Sequence, residues 1–516
     1  MTRPAADYGC AMSVPRISIV LALVALAAGC GGGSAASKSG GGSSPAAARA
    51  FPEHALAFVD VNLDRDSAAW KRAEAVGARF PSWPRFVARV QALLNRPADD
   101  GGSYRADVAP WLGDEAAFAV TGIDVTDQAN PVDFAAYAAV KDAGRLRGEL
   151  LSHHYPRART YRGFDQYRSN DGQSYIAVAD DAVLAANTEA GLHSALDALS
   201  GASPSLADSQ RYRHAIAGLP TSRLVTAYAD ATQVGRLVSL AALGGTGPAF
   251  PAAPMARLAQ TLHEAGSITA SLGADSGGVR LTMNATPDPG RTLPQAFLRR
   301  NAPPVLAADV PADAFAYAGG QMGPVPPGFG GPGQAQSMRA FARLTGLSWK
   351  RDIAPLLSDT LAAYAAPGLP VTGALLLHPR SPGAAAAAMR RITAALHRLE
   401  PDLRVRDTPD GQRIAVGPGF AVSWRRAGDV IAVSNDPAAG EPQSPSLTQG
   451  AGWRSVARLA GVPDRVGFLA YLNTPALMRA FPVPPDPDAA HLGSLVAWST
   501  SAPGGAHFVV YLQVLG

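Results

Sequence analysis

The sequence predicts an α+β fold made of two tandem homologous copies, each a largely antiparallel sheet with helices packed on it. Three observations carry this. The octapeptide Asp107-Val-Ala-Pro-Trp-Leu-Gly-Asp114 returns as Asp352-Ile-Ala-Pro-Leu-Leu-Ser-Asp359. Other matched segments recur in the same order on both sides of it. Short apolar strands outnumber helices and are joined by hairpin turn signals, which favours antiparallel over parallel pairing.

The chain has 516 residues, too many for a single core. A net charge of +4, carried almost wholly by arginine with no basic block, excludes a nucleic-acid partner on composition. Both cysteines, Cys10 and Cys30, precede the expected fold, so that fold holds no disulfide and no thiolate metal site.

Ile17–Ala28 is an apolar run too short to span a bilayer but long enough for a signal peptide core. It ends in Leu26-Ala-Ala-Gly-Cys30, which resembles a bacterial lipobox and marks Cys30 for lipidation. Residues 1–30 are therefore read as a lipoprotein signal. Gly31–Ala50, rich in Gly, Ser and Ala, reads as a flexible tether spanning roughly 25 Å.

Copy one is assigned to residues 51–286, a Pro-rich connector to 287–310 and copy two to 311–516. The copies open at Pro52-Glu-His-Ala-Leu-Ala-Phe and Pro311-Ala-Asp-Ala-Phe-Ala-Tyr, each leading into a strand. Helices are expected over 67–80 and 83–94 in copy one. Copy two has a Gly-Pro loop over 319–333 and a helix over 336–344. Next comes the octapeptide, read as a short helical turn capped by Asp107 or Asp352. Strands follow over 116–121 and 133–140, and over 361–365 and 371–377, each second strand leading into a helix.

Short strands come next, at 158–168, 174–179 and 183–186 in copy one, and at 404–408, 413–416, 421–424 and 430–434 in copy two. Their last strands end alike, in Leu184-Ala-Ala-Asn187 and Ile431-Ala-Val-Ser-Asn435. Ser203-Pro-Ser-Leu206 matches Ser444-Pro-Ser-Leu447, and each is followed six residues later by an aromatic-Arg pair. Both copies close on a Gly-Gly hairpin, Gly277-Gly278 and Gly504-Gly505.

These features resemble a family of secreted or lipid-anchored proteins of GC-rich Gram-positive bacteria with a domain of unknown function. The resemblance rests on the lipobox and tether, the Asp-aliphatic-x-Pro-bulky-Leu-Gly-Asp turn and the tandem copies. It implies an address and no catalytic residues.

No His-Glu-x-x-His, nucleophile elbow or phosphate loop occurs. His153-His154 sits at a helix end, where a cation is favoured by the dipole. Apolar Pro-rich stretches follow Tyr228 and Tyr471. With the Gly-Pro loop they bring forward Leu243, Phe250, Phe329, Phe481 and Val483 as candidate binding residues around a groove. The expected function is that of a non-enzymatic binding or scaffold lipoprotein on the outer face of the cell membrane. Its partners would be the membrane, through the anchor, and a lipid-like ligand or envelope protein, with no cofactor and no metal. The alternative is an envelope hydrolase with an unrecognised active site.

Overall fold

The computed structural model describes residues 45–94, 104–123, 131–170, 172–244, 252–293, 300–321, 332–357, 359–368, 370–417, 420–481 and 486–516. The fold is α+β and its sheet pairings are antiparallel. The chain divides into two compact units, residues 1–71 with 83–230, and residues 72–82 with 231–516.

Among the described residues the first unit holds eight strands: β1 (Ala57–Asn62), β2 (Leu112–Ile123), β3 (Val132–Val140), β4 (Arg157–Tyr161), β5 (Phe164–Arg168), β6 (Tyr175–Val178), β7 (Ala182–Ala186) and β8 (Val225–Asp230). Pairing runs β8-β1-β2-β3-β7-β6-β5-β4. The 158–168 strand expected from sequence is in fact a hairpin. Arg162 (φ 54°) and Gly163 (φ 88°) both take the left-handed conformation that a two-residue turn of this kind requires. An Arg-Gly pair does not advertise that turn as Asn-Gly would.

Two core layers flank this sheet. One gathers Phe51, Phe58, Tyr137, Leu184, Tyr212 and Tyr228 with the Glu189–Leu199 helix, and the other gathers Trp111, Leu146, Leu150, Tyr167 and Ile176. The alternation of side chains along each strand divides them between the faces. The expected tether enters the first layer. Ala46–Ala50 form a 3-10 turn in which Ala47, Ala48 and Ala50 are fully buried. The expected tether boundary at 50 is thus corrected to before Pro45. Three alanines carry too little periodic contrast to signal burial, but they fit where a larger side chain would clash.

Among the described residues the second unit holds twelve strands: β9 (Ser267–Asp275), β10 (Gly278–Thr286), β11 (Ala316–Gln321), β12 (Thr360–Ala366), β13 (Thr372–His378), β14 (Arg404–Thr408), β15 (Gly411–Gly417), β16 (Phe420–Ala427), β17 (Val430–Ser434), β18 (Phe468–Asn473), β19 (Leu492–Ala502) and β20 (Gly505–Val514). Pairing runs β9-β10-β20-β19-β18-β11-β12-β13-β17-β16-β15-β14. From β18 to β14 this order repeats that from β8 to β4 in the first unit.

The Ser267–Thr286 hairpin belongs to the second unit, against the expected boundary at 286, because β10 pairs with β20 from Gly278↔Gln513 to Ala285↔Ala506. Gly278 permits the close approach, since a Cβ there would lie 2.0 Å from the Leu512 carbonyl oxygen.

Three further expectations are corrected. The connector ends before 305, because Val305–Asp309 form a 3-10 turn that buries Leu306 and Ala307 in the core with Tyr317, Leu376 and Tyr471. Gly319, Gly320 and Gln321 continue the β11 ladder instead of opening a loop. The stretch after Tyr228 is largely helical, in Ala231–Gly244 and Ala252–Ala265.

Candidate functional site

In the first unit the Glu189–Leu199 helix starts at Thr188, whose hydroxyl accepts from the Gly191 N–H at 3.0 Å. Leu192, Ala195 and Leu196 face the core and are buried. Glu189, His193 and Asp197 recur every fourth residue and share the outer face. A cleft of about 640 Å³ opens beside that face, lined by Glu53, His54, His193, Ser194, Asp197 and Pro204 among others. The Glu53 N–H donates to the Pro204 carbonyl at 3.1 Å, which joins the two turns that close it.

The charged groups of the cleft are held by the β4–β5 hairpin. Tyr161 stacks on His193 with ring centroids 3.9 Å apart and planes 5° off parallel. Its hydroxyl donates to Asp197 at 3.0 Å, and the Arg162 Nε donates to the same oxygen at 2.8 Å. Arg159 pairs with Glu189 and reaches the His193 Nε2 at 3.2 Å. Burial, then the Arg159 charge, push the His193 pKa down, so its Nε2 serves as a neutral acceptor. The side chains of Glu53, His54 and Ser194 have no hydrogen-bond partner among the described residues and remain open to a ligand.

Sequence reasoning missed this cleft because it missed the helix. The signal was present in Thr188 as a cap, Glu189 in the first turn and Leu192, Ala195, Leu196 and Leu199 at helical spacing. It also missed an acidic pair of which one member, Asp60, is buried. Asp60 on β1 is 7% exposed and its Oδ1 has no hydrogen-bond partner among the described residues. Burial, then the Glu115 carboxylate beside it on β2, push the Asp60 carboxyl well above its ordinary range, against a smaller pull from Arg223. Glu115 Oε1 also accepts from the Ala47 N–H at 3.1 Å.

The octapeptide turns are single π-helical turns, Tyr104–Val108 and Trp349–Ile353, and the capping role expected of Asp352 is corrected. Ser348 is the cap, with its hydroxyl accepting from the Arg351 N–H. Asp352 is fully buried and accepts from the Ser348 N–H at 2.7 Å and from the Arg351 and Arg391 guanidinium groups at 3.1 and 2.5 Å. Burial opposes its ionisation, but these donors outweigh it and hold the carboxyl well below the usual carboxylate range. Arg391 also bonds the Arg351 carbonyl, as Arg145 bonds that of Ala106 in the first unit. In each case an arginine of the following helix pins the residue before the recurring Asp.

Cys30, Phe250, Phe329 and Val483 lie outside the described residues, and Leu243 falls in the Ala231–Gly244 helix. Phe481 packs edge-on against Phe315, with centroids 5.9 Å apart, and keeps 44% of its surface exposed. His153 ends its helix with Nδ1 2.9 Å from the Glu149 carbonyl oxygen, and His154 takes φ 61°. Among the described residues no cluster of three His, Cys, Asp or Glu side chains is placed to hold a metal ion, and no helix is long and apolar enough to cross a membrane.

No curated protein matches this chain. Solved structures of TP0453 overlap part of it. Crystal form IV does so with a TM-score of 0.26 and 10% identity, over 46% of this chain and 79% of that one. Crystal form I gives 0.26 and 10%, over 48% and 81%. Overlap that shallow carries no argument about either fold or function. The model of the protein family of unknown function DUF3352 matches residues 17–398, most of the length over which the strand order is laid down, and the chain belongs to that family.

Proposed function

We propose that this chain is a lipoprotein of the outer face of the cell membrane, anchored through Cys30, that binds an envelope component and does not cleave one. The observation that carries binding is the state of the cleft beside the Glu189–Leu199 helix. Two of its acid–base groups are already committed: Asp197 to Tyr161 and Arg162, and the His193 Nε2 to Arg159. Glu53, His54 and Ser194 remain to contact a ligand. A hydrolase would need a nucleophile hydrogen-bonded to a base, and among the described residues Ser194 makes no hydrogen bond to His54 or Glu53. The address draws its support from Leu26-Ala-Ala-Gly-Cys30 and the Gly/Ser-rich stretch after it.

We further propose that the chain arose by tandem duplication. Support comes from the shared strand order and from details inside it. The Asn187 side chain accepts from the Phe134 N–H and donates to the Val132 carbonyl, and Asn435 does the same to Gly373 and Val371. Ser205 with Asp208, and Ser446 with Gln449, form capping boxes, each beside the Pro that opens its copy.

Two measurements test this reading. Radiolabelled palmitate should enter the wild type and not Cys30→Ala, and equal labelling would remove the anchor. Mass spectrometry of small molecules released from the purified protein should detect a species that Ser194→Trp, which fills the cleft, no longer carries. Identical extracts from both proteins would end the case for the cleft.

A further inference from the structure

The outer hairpin of the second unit carries an uncovered arginine face. Arg404 and Arg406 lie two apart on β14 and so share a side, and Arg406 stands directly opposite Arg413 on β15. All three are exposed. Among the described residues none of them has a hydrogen bond or ion pair with another side chain. The opposite side of the same strands is covered. There the Trp424 Nε1 bonds Thr393 of the Pro382–Leu399 helix and Gln412. Like charges directly opposite across a ladder repel, so this arrangement costs the fold stability and gains nothing inside the chain.

The arginines of the first unit's hairpin are treated otherwise, and Gln166 stands opposite Arg159 where Arg413 stands opposite Arg406. Arg157 pairs with Asp165, Arg159 with Glu189 and Arg162 with Asp197. Two of those carboxylates come from the Glu189–Leu199 helix. After β17 the chain makes only the short turn around Pro437–Gly440, which satisfies Arg425 through the Ala439 carbonyl and Glu441 and reaches no farther. At the β15–β16 end Val416, the extra residue of the bulge between Ala415 and Gly417, is 57% exposed, while Phe420 lies on the side of Trp424. Guanidinium groups without carboxylate partners on an uncovered face suit a surface bearing phosphate headgroups.

We propose that Arg404, Arg406 and Arg413 form a contact surface for anionic phospholipid headgroups. The proposal uses the membrane-anchored reading only to say why a bilayer is within reach.

The test is co-sedimentation of the full chain with vesicles of phosphatidylcholine alone, or of two parts phosphatidylcholine to one part phosphatidylglycerol. The wild type should bind the phosphatidylglycerol vesicles more tightly. Arg404→Gln/Arg406→Gln/Arg413→Gln should lose that preference, by on the order of 100-fold if each arginine near the surface contributes about five-fold. Should the triple variant fail to fold, Arg413→Gln alone carries the test, with about a five-fold loss. Equal binding by wild type and variant, or no preference for phosphatidylglycerol, overturns the proposal. Release by inorganic phosphate beyond that by sodium chloride of equal ionic strength would assign the face to a free anion and overturn it too. An acyl anchor would add equally to both vesicle types and both proteins. The intact mass of the same preparation reports acylation at Cys30, so failure of the anchor is read separately.

Discussion

The β4–β5 hairpin of the first unit and the β14–β15 hairpin of the second occupy the same place in the strand order and carry the same Arg-x-Arg sequence, Arg157-Ala-Arg159 and Arg404-Val-Arg406. Their surroundings differ because the segments leaving β7 and β17 differ in length. After Asn187 the chain takes 18 positions to reach Ser205 and builds a helix, whereas after Asn435 it takes 11 to reach Ser446 and builds a turn. The helix brings Glu189 and Asp197 over the first hairpin, and the turn brings only Glu441 near the second. The backbone of a hairpin is thus set by its ladder, while its surface charge is set by an element elsewhere in the chain.

The largest effect should come from undoing the covered side. Leu192 is 1% exposed and seats the helix on the core. Leu192→Ala should cost about 3 kcal/mol, the usual range for a buried leucine whose site collapses only partly. Denaturant unfolding would check it, and a loss under about 1 kcal/mol would mean that the helix is not held by this contact. If the helix loosens, Arg159 and Arg162 lose their carboxylates, and the first unit should begin to bind anionic vesicles.

The two octapeptides offer a second contrast. Asp352 is fully buried between two arginines, while Asp107 is half-buried. Asp352→Asn removes the charge that Arg351 and Arg391 were placed to meet. Both arginines retain solvent contact, at 61% and 38% exposure, so the cost should be about 2 kcal/mol and not the 3–5 of a fully buried pair. Because the folded carboxyl is depressed, its contribution is present above the unfolded value of about 3.9 and is lost as pH falls through the folded one. The gap between wild type and variant should therefore be full at neutral pH and close at strongly acidic pH. A gap independent of pH would show that the cost is steric.

How legible the fold was in the sequence can be judged from the same residues. The strands with strong alternation or a matched partner could be read directly; the 430–434 strand and the helix over 83–94 stand where the sequence placed them. Ala46–Ala50 could not be read, because burial of alanine leaves no hydrophobic contrast. The β4–β5 turn was hidden by an arginine at positive φ. Asp352 looked like a cap because sequence shows the Asp and the turn but not Arg391, 39 residues on. The cleft needed three segments brought together by the sheet, Pro52–His54, Ala190–Asp197 and Ser203–Pro204, and no local pattern records that.

A third contrast lies inside the sheets. Asp60 and Glu115 of the first unit stand where the second has Gly319 and Thr360, and there Gln321 donates to the Thr360 hydroxyl at 2.8 Å in a neutral pair. The folded Asp60 carboxyl is raised, so its contribution is full below about pH 3.9 and is lost as pH rises through the folded value. Asp60→Asn should make no gain in acid and stabilise by about 1 kcal/mol at mildly alkaline pH. This pH dependence is opposite in sign to that of Asp352, and thermal unfolding across pH separates the two. A variant no more stable than the wild type at any pH would mean that the pair is fully compensated by Arg223.

The smallest effect returns to the bare hairpin. Arg406 and Arg413 face one another across β14 and β15 with no carboxylate between them. Arg413→Gln removes that repulsion and leaves an exposed position with adequate strand packing. It should raise stability by a few tenths of a kcal/mol, more at low ionic strength than at high, because exposed charges are screened over about 10 Å at 0.1 M salt. The first-unit counterpart runs the other way. Arg159→Gln would leave Glu189 without its partner and expose the His193 Nε2, so it should be neutral or slightly destabilising. Thermal melts of the two variants at low and high salt decide the matter. A stabilising Arg413→Gln beside a neutral or destabilising Arg159→Gln would mean that the second hairpin keeps its arginines at a cost to folding, as an outward-facing binding surface would. Variants that shift stability in the same direction would mean that the two hairpins differ in cover but not in energetic state.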